Sequence, residues 1–394
     1  MTIVPASEPF GIYVHVPYCV SLCPYCDFNS YVQRDPPWEA LRRAWTRELA
    51  ARVDLMGTGP VASVYFGGGT PSLAPPRELA GLLEDVARAR ALAGGAEVTL
   101  EANPGSTNAA ALASLRAAGF NRVSLGWQST HDRLLRVLGR GHSARDSQRA
   151  FDDARRAGYD NVSVDLIFAV PGQTLADLEQ DLAALIALGP EHVSLYALTY
   201  HSGTELWRRL REGRIQAADE DLELAMMDRI EEVLCTAGYE HYEVSNYARP
   251  GRRAQHNSLY WTGAPYLGLG PGAHSFVHRE WQEGWRWETV LDPAAYLAAW
   301  ATDHPAGLPS NGDGSVSFVE RLDARQLLSE RLLCGLRLAD GLDLAQVQLG
   351  PYEPEVRLGI ATARERGWAE EHGTRLVPTP LGLRHADALA ALFF

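Results

Sequence analysis

Along the first half of the chain, short β-branched runs alternate with longer stretches whose apolar positions recur at helical spacing. The runs at 12–16, 62–66, 97–101, 122–126, 162–167 and 192–198 read as strands. The stretches at 38–55, 77–92, 108–118, 144–157 and 175–188 read as helices. Regular strand–helix alternation predicts a parallel sheet with helices packed outside it. The punctuation agrees: Ser143 can N-cap the helix that follows, and Gly158 stands where a left-handed residue would end it. Gly119 and Gly189 take similar places ahead of the next strands. Six such units predict an α/β fold, a partial (β/α)6 barrel, with a doubly wound open sheet as the competing topology.

After about residue 240 the pattern breaks. Residues 241–290 are rich in Gly, His, Tyr and Trp and are expected to form an irregular segment. From 291 a helical stretch resumes, followed by the polar run PSNGDGS at 309–315. The remainder reads as helix, helix, a short hairpin around 371–373 and a last helix, the order of a winged-helix-like domain. The chain thus divides into 1–240, 241–290 and 291–394.

Charge narrows the partners. A formal net charge of -13 argues against nucleic acid, because phosphate recognition needs a basic face. The arginines of the C-terminal stretch, such as Arg357 and Arg364, are offset by glutamates, so no nucleic acid is expected despite the winged-helix-like end. MTIVPASEPF has neither the basic nor the apolar region of a secretory leader. No run approaches the roughly 20 apolar residues that span a bilayer, so a cytoplasmic protein is expected, with membrane contact only peripheral.

Three of the five cysteines, Cys19, Cys23 and Cys26, fall within eight residues directly after the first strand; Cys235 and Cys334 stand alone. An odd count without a leader disfavours a disulfide framework. Thiolates are soft ligands that suit zinc or an iron–sulfur cluster. A structural zinc site needs four ligands, and a fourth would have to be a distant histidine. A [4Fe–4S] cluster on three cysteines leaves one iron open to a small molecule with amino and carboxylate groups.

Further polar groups collect at the ends of the predicted strands. Gly67-Gly68-Gly69-Thr70 follows the second, where a backbone without Cβ atoms can approach a charged headgroup. Glu101 ends the third, Gln128 follows the fourth with Arg140 beyond it, and Asp165 lies in the fifth. In a parallel barrel those ends open on one face, where catalytic groups gather.

The C-x3-C-x2-C loop after a first strand resembles the radical S-adenosylmethionine (SAM) superfamily. YVHVPYC and CPYCDFNS resemble its oxygen-independent coproporphyrinogen III oxidase branch, which also holds haem chaperones. The resemblance implies that Cys19, Cys23 and Cys26 hold a [4Fe–4S] cluster and that Tyr13, Gly68, Gly69, Thr70, Glu101, Gln128, Arg140, Asp165 and Ala197 bind SAM. Tyr25 is expected near the adenine. IFAVPGQT departs slightly from the usual YGLPGQT, at Ala169 and Val170. In the oxidases, reductive cleavage of SAM yields a 5′-deoxyadenosyl radical that initiates decarboxylation of propionates.

Two departures favour the chaperones. Only about ten residues precede the first strand, and Phe28 occupies the place of the oxidases' fourth cysteine. A third feature, His256-Asn257-Ser258-Leu259-Tyr260-Trp261, matches the chaperones' HNxxYW motif. It implies haem as a bound group, with His256 as candidate ligand, Tyr260 and Trp261 against the porphyrin face, and haem-accepting proteins as partners. His241, His274 and His278 are further candidates, and no catalytic residue is singled out.

Overall fold

The computed structural model describes residues 8–393. Six parallel strands form in chain order: β1 (Phe10–Val16), β2 (Val61–Gly68), β3 (Leu92–Ala102), β4 (Arg122–Gln128), β5 (Val162–Phe168) and β6 (His192–Ala197). Each pairs with the next, so the order is sequential, as a barrel requires and a doubly wound sheet does not.

Local chemistry sets the connecting helices. Ser143 and Thr174 each close a capping box, with Asp146 and Asp177 respectively, and Asn108 caps Ala109–Ala117. Gly158 and Gly189 carry the positive φ that ends their helices. Helix Pro76–Ala89 buries Leu79, Leu82, Leu83 and Val86, one stripe at helical spacing. Each buried side chain of this size stabilises the fold by about 1.5–3 kcal/mol. On β1 the alternation divides the faces: Ile12, Val14 and Val16 are fully buried in the apolar core, while Gly11, Tyr13 and His15 point to the inner face.

Residues 241–290, expected to be irregular, are instead ordered elements of the same sheet. They carry β7 (Glu240–Glu243), β8 (Asn246–Ala248), helix Gln255–Thr262, β9 (Tyr266–Leu269), β10 (His274–Arg279) and β11 (Glu283–Thr289). β9 adds in parallel to the free edge of β1, making a seventh parallel strand. The sheet continues antiparallel through β10 and β11 to β12 (Val316–Asp323). β8 and β7 close the other edge, giving the order β12-β11-β10-β9-β1-β2-β3-β4-β5-β6-β8-β7. The expected boundary at 291 therefore falls inside the sheet, since β12 and the buried Tyr296 and Trp300 belong to the main core.

A second core begins at Leu328 and runs to Phe393. It joins helices Ala324–Gly335 and Glu353–Glu365 to the hairpin Ala369–His372 and Arg375–Pro378, which turns at Gly373. Two short helices finish this winged-helix-like unit. Among the described residues, no helix is long and apolar enough to cross a membrane.

Candidate functional site

The cysteine loop leaves the C-terminal end of β1 and is clamped from several sides. The carbonyl of Pro24 accepts from the Leu206 amide at 2.7 Å. Gly139, with a φ of 65°, lies so close to the Pro24 ring that a Cβ there would stand 2.3 Å from its Cδ. Tyr25 packs against the apolar cluster of Leu134, Leu138, Ile167, Val170, Leu198 and Leu206. These contacts leave Cys19, Cys23 and Cys26 free and half-buried on one loop. Burial pushes the Cys26 thiol up to about 11, and the neighbouring Cys23 and Cys19 add to the rise. Burial thus disfavours bare thiolates at Cys19 and Cys26, a cost that a positively charged iron core would offset.

The glycine loop meets the cysteine loop directly. The Gly69 amide donates to the Val16 carbonyl at 2.7 Å and the Thr70 amide to the Tyr18 carbonyl at 2.9 Å. A Cβ on Gly69 would lie 2.9 Å from both carbonyl oxygens and 3.1 Å from Cys19 Sγ. The Gly68 amide donates to Glu101 Oε2 at 3.2 Å. The amides of Gly68, Gly69 and Thr70 are thus all taken within the protein. Thr70 Oγ1 also reaches Cys19 Sγ at 3.4 Å.

Glu101, Asp165, Gln128 and Arg140 gather at the same mouth. Tyr65 donates to Glu101 Oε1 at 2.6 Å. Burial pushes the Glu101 carboxyl up to about 7; that hydrogen bond opposes the rise, and Asp165 adds to it. Burial likewise raises Asp165, whose oxygens both lie 3.1 Å from the Ser124 hydroxyl. Gln128 sits at a register shift between β4 and β5 with a φ of 69°, a conformation held by its surroundings that re-aims its side chain. Arg140 donates to the Gly126 carbonyl at 3.1 Å and reaches Cys23 Sγ at 3.5 Å and the Tyr25 hydroxyl at 3.4 Å. Ala197 ends β6 opposite Phe168.

These residues fit a cluster and SAM. The Gln128 amide oxygen and Arg140 Nε are buried without a hydrogen-bond partner, as at a site built for a polar ligand. Among the described residues, no three His, Cys, Asp or Glu converge at the spacing of a single metal ion.

A cavity of about 450 Å³ opens at this mouth, sharing Gly68 and Glu101 with it, within the range of about 300–1,000 Å³ typical of small-molecule sites. Its walls include Tyr13, Phe28, Glu101, Tyr260, Tyr266 and His274. Sequence reasoning missed His15, Asn29, Tyr266 and Gly272, of which the first two are tied together. His15 Nδ1 meets the Tyr13 hydroxyl at 3.0 Å, and Nε2 meets the Asn29 carbonyl at 2.8 Å. Strand alternation could have found His15, two residues from Tyr13.

His256 lies elsewhere and is closed off. It opens helix Gln255–Thr262, which packs on the inner face near the N-terminal ends of β1 to β3. Its Nδ1 is 2.8 Å from the Ser63 hydroxyl and its Nε2 2.9 Å from the Tyr260 hydroxyl. The ring stacks on Tyr65 at 5.0 Å and is 1% exposed. Burial, and secondarily Arg122, lowers its pKa to about 3, which keeps the imidazole neutral. With both nitrogens engaged it is a packing residue in this conformation, not an available iron ligand. Trp261, expected against a porphyrin, packs beneath Arg337, whereas Tyr260 does line the cavity. His241 stacks on Tyr247 at 4.3 Å and His278 on Trp281 at 4.1 Å; neither lines the cavity.

Comparison with known proteins defines the class. The radical SAM superfamily model matches residues 13–185, and the HemN C-terminal domain model matches 322–385. Coproporphyrinogen III oxidase (HemN) from Escherichia coli superposes with a TM-score of 0.81 over 98% of this chain and 90% of that one. At 19% identity that likeness speaks for the fold alone. The protein is a radical SAM protein of HemN-like fold, a class whose cofactors are a [4Fe–4S] cluster and SAM.

The heme chaperone HemW of Mycobacterium tuberculosis is 39% identical over 389 residues, covering 97% of this chain and 94% of the relative. Bovine radical S-adenosyl methionine domain-containing protein 1, mitochondrial, is 45% identical over 357 residues, 90% of this chain and 78% of the relative. The chain belongs to the HemW family.

Proposed function

We propose that this protein is a haem chaperone that holds a [4Fe–4S] cluster and SAM at the barrel mouth, takes haem beside them and passes it to acceptor proteins. Similarity along nearly the whole length of a relative named as a heme chaperone carries this reading. The site supports it: Phe28, in the place of the oxidases' fourth cysteine, is 65% exposed and forms an apolar wall of the cavity.

Cys19, Cys23 and Cys26 would hold the cluster, with the Gly68–Thr70 loop, Glu101, Gln128, Arg140 and Asp165 around SAM. Bound together, these groups supply one-electron reduction of a sulfonium. Arg140 reaches Cys23 Sγ, and Glu101 fixes the glycine loop through the Gly68 amide. The test is anaerobic reconstitution followed by parallel assays of haem binding and coproporphyrinogen III decarboxylation. Stoichiometric haem binding without decarboxylation supports the chaperone; conversion to protoporphyrinogen makes the protein an oxidase.

A further inference from the structure

Tyr65 touches two residues of the cavity wall without lining the cavity itself. Its ring stacks on Tyr13 at 6.2 Å, and its hydroxyl donates to Glu101 Oε1 at 2.6 Å. The sheet register puts it there, since Tyr13 and Tyr65 are partners across β1 and β2 and share the inner face. Burial, and then the nearby Glu101, raises the Tyr65 hydroxyl well above the ordinary tyrosine range, so it stays protonated and donates. Glu101 is thereby held at both ends, because Oε2 accepts from the Gly68 amide at 3.2 Å. A carboxylate has about four lone-pair directions, so each oxygen keeps one for a donor that enters the cavity.

Tyr65 is held in its turn. With Tyr13 and His256 it forms a triangle of rings, the Tyr65–His256 centroids 5.0 Å apart and the Tyr13–His256 centroids 6.4 Å. The His256 ring is pinned between the hydroxyls of Ser63, two residues before Tyr65 on the same strand, and Tyr260. From this geometry we infer that Tyr65 is a positioning residue of the SAM site: it orients the Glu101 carboxylate toward the cavity, and His256 of the HNxxYW helix holds its ring in place. The inference rests on the placement of SAM against Glu101 and adds to it a residue that does not touch the ligand.

The hydrogen bond also sets the charge of its acceptor. Burial pushes Glu101 up to about 7, and the Tyr65 hydroxyl is the largest influence against that rise. Asp165 adds to the rise, while the Gly68 amide and Arg122 oppose it. The other titratable groups around Glu101 keep one charge state near neutrality. Burial raises the phenols of Tyr13, Tyr196 and Tyr260, and it lowers His15 to about 4 and His256 to about 3. A phenylalanine at 65 would keep the stack and lose only the donor, so positioning and packing separate cleanly.

The test measures SAM affinity of the cluster-reconstituted protein by equilibrium dialysis from about pH 6 to about pH 9, with cluster iron and the unfolding midpoint read in parallel. Tyr65→Phe is expected to keep its iron and its midpoint but to bind SAM about ten-fold more weakly at neutral pH. Its binding should also fail at higher pH than that of the wild type, because Glu101 without the Tyr65 donor holds its proton longer. Glu101→Gln should weaken SAM at least about ten-fold and remove that pH step. Wild-type affinity and pH dependence in Tyr65→Phe, beside a loss in Glu101→Gln, would overturn the assignment while leaving SAM at Glu101. Loss of iron or stability in step with SAM would make Tyr65 a packing residue and overturn it as well. Wild-type affinity in Glu101→Gln would overturn the placement of SAM on which the inference rests.

Discussion

The cysteine loop sits at the barrel's C-terminal mouth and the HNxxYW helix on its inner face, where Tyr260 reaches the mouth cavity, and the two treat their polar groups in opposite ways. At the C-terminal mouth the thiols are half-buried and free, Gln128 and Arg140 keep unpartnered atoms, and Gln128 sits in a left-handed conformation. Near the N-terminal ends, His256 has both nitrogens engaged and the helix backbone is closed off as well. Glu97 on β3 accepts from the amides of Gln255 and His256 at 3.1 and 3.2 Å. Buried polar groups that are fully satisfied stabilise and specify a fold, whereas those left open mark where a ligand completes the set. By that criterion the open groups gather at the first motif, and the second is packed like a plug.

The largest effect should come from the mouth. Cys23→Ala, reconstituted anaerobically, is expected to lose essentially all cluster iron and the visible absorption it brings, because three thiolates are the minimum that holds the cluster. A variant that still took up iron to wild-type stoichiometry would remove Cys23 from the ligand set. Zinc bound tightly by the wild type in place of iron would reverse the choice of metal.

Next comes the plug. His256→Ala leaves the Ser63 and Tyr260 hydroxyls without their partner in a buried place and opens a void. Each orphaned group costs about 1–3 kcal/mol, so a loss of about 3 kcal/mol in stability is expected. On the present geometry, with both His256 nitrogens engaged, the variant keeps its haem binding. Unchanged stability together with lost haem ligation would turn the comparison around and return His256 to the role its motif implies.

Much of the mouth was legible in the chain because its signals are local: cysteine spacing, three glycines, and polar residues at strand ends. The plug was not, for a physical reason. Helix Gln255–Thr262 begins after Ala254, which has no side-chain cap, and it borrows its N-terminal carboxylate from Glu97, far away in sequence. β9 was hidden similarly, since a four-residue strand that pairs in parallel with β1 leaves little periodicity to read. The glycines were read for the right loop but only part of the reason. Gly69 is required by the backbone of the cysteine loop, independently of any ligand.

That gives a smaller and sharper test. Gly69→Ala places a Cβ against two backbone carbonyls, neither of which can turn aside, and is expected to cost about 1–3 kcal/mol. Because the displaced strand carries Cys19, cluster yield and SAM affinity should both fall, the latter about ten-fold by equilibrium dialysis. Gly94→Ala, with nothing within 4 Å, is the control and should change neither. Equal behaviour of the two would mean that the loops are not packed as described.

The subtlest expectation concerns protons. His256 is neutral in the fold, with its pKa lowered to about 3 by burial, against about 6.5 when unfolded. The unfolded chain therefore binds a proton between those values that the folded chain refuses. The stability from this group is complete above pH 6.5 and declines as pH falls, by about 1.4 kcal/mol per unit. His15 and His142, each lowered to about 4 by burial, act in the same direction. Glu101, raised to about 7, acts oppositely, since the folded chain takes its proton first. The total slope is thus a partial cancellation, and a difference isolates one group. In the cluster-free protein, the denaturation midpoint of His256→Gln should depend on pH less steeply than that of the wild type between pH 5 and 6, by about one proton's worth. Parallel pH dependences would show that His256 already titrates in the folded chain. Its ring would then be open to solvent, and with it to iron.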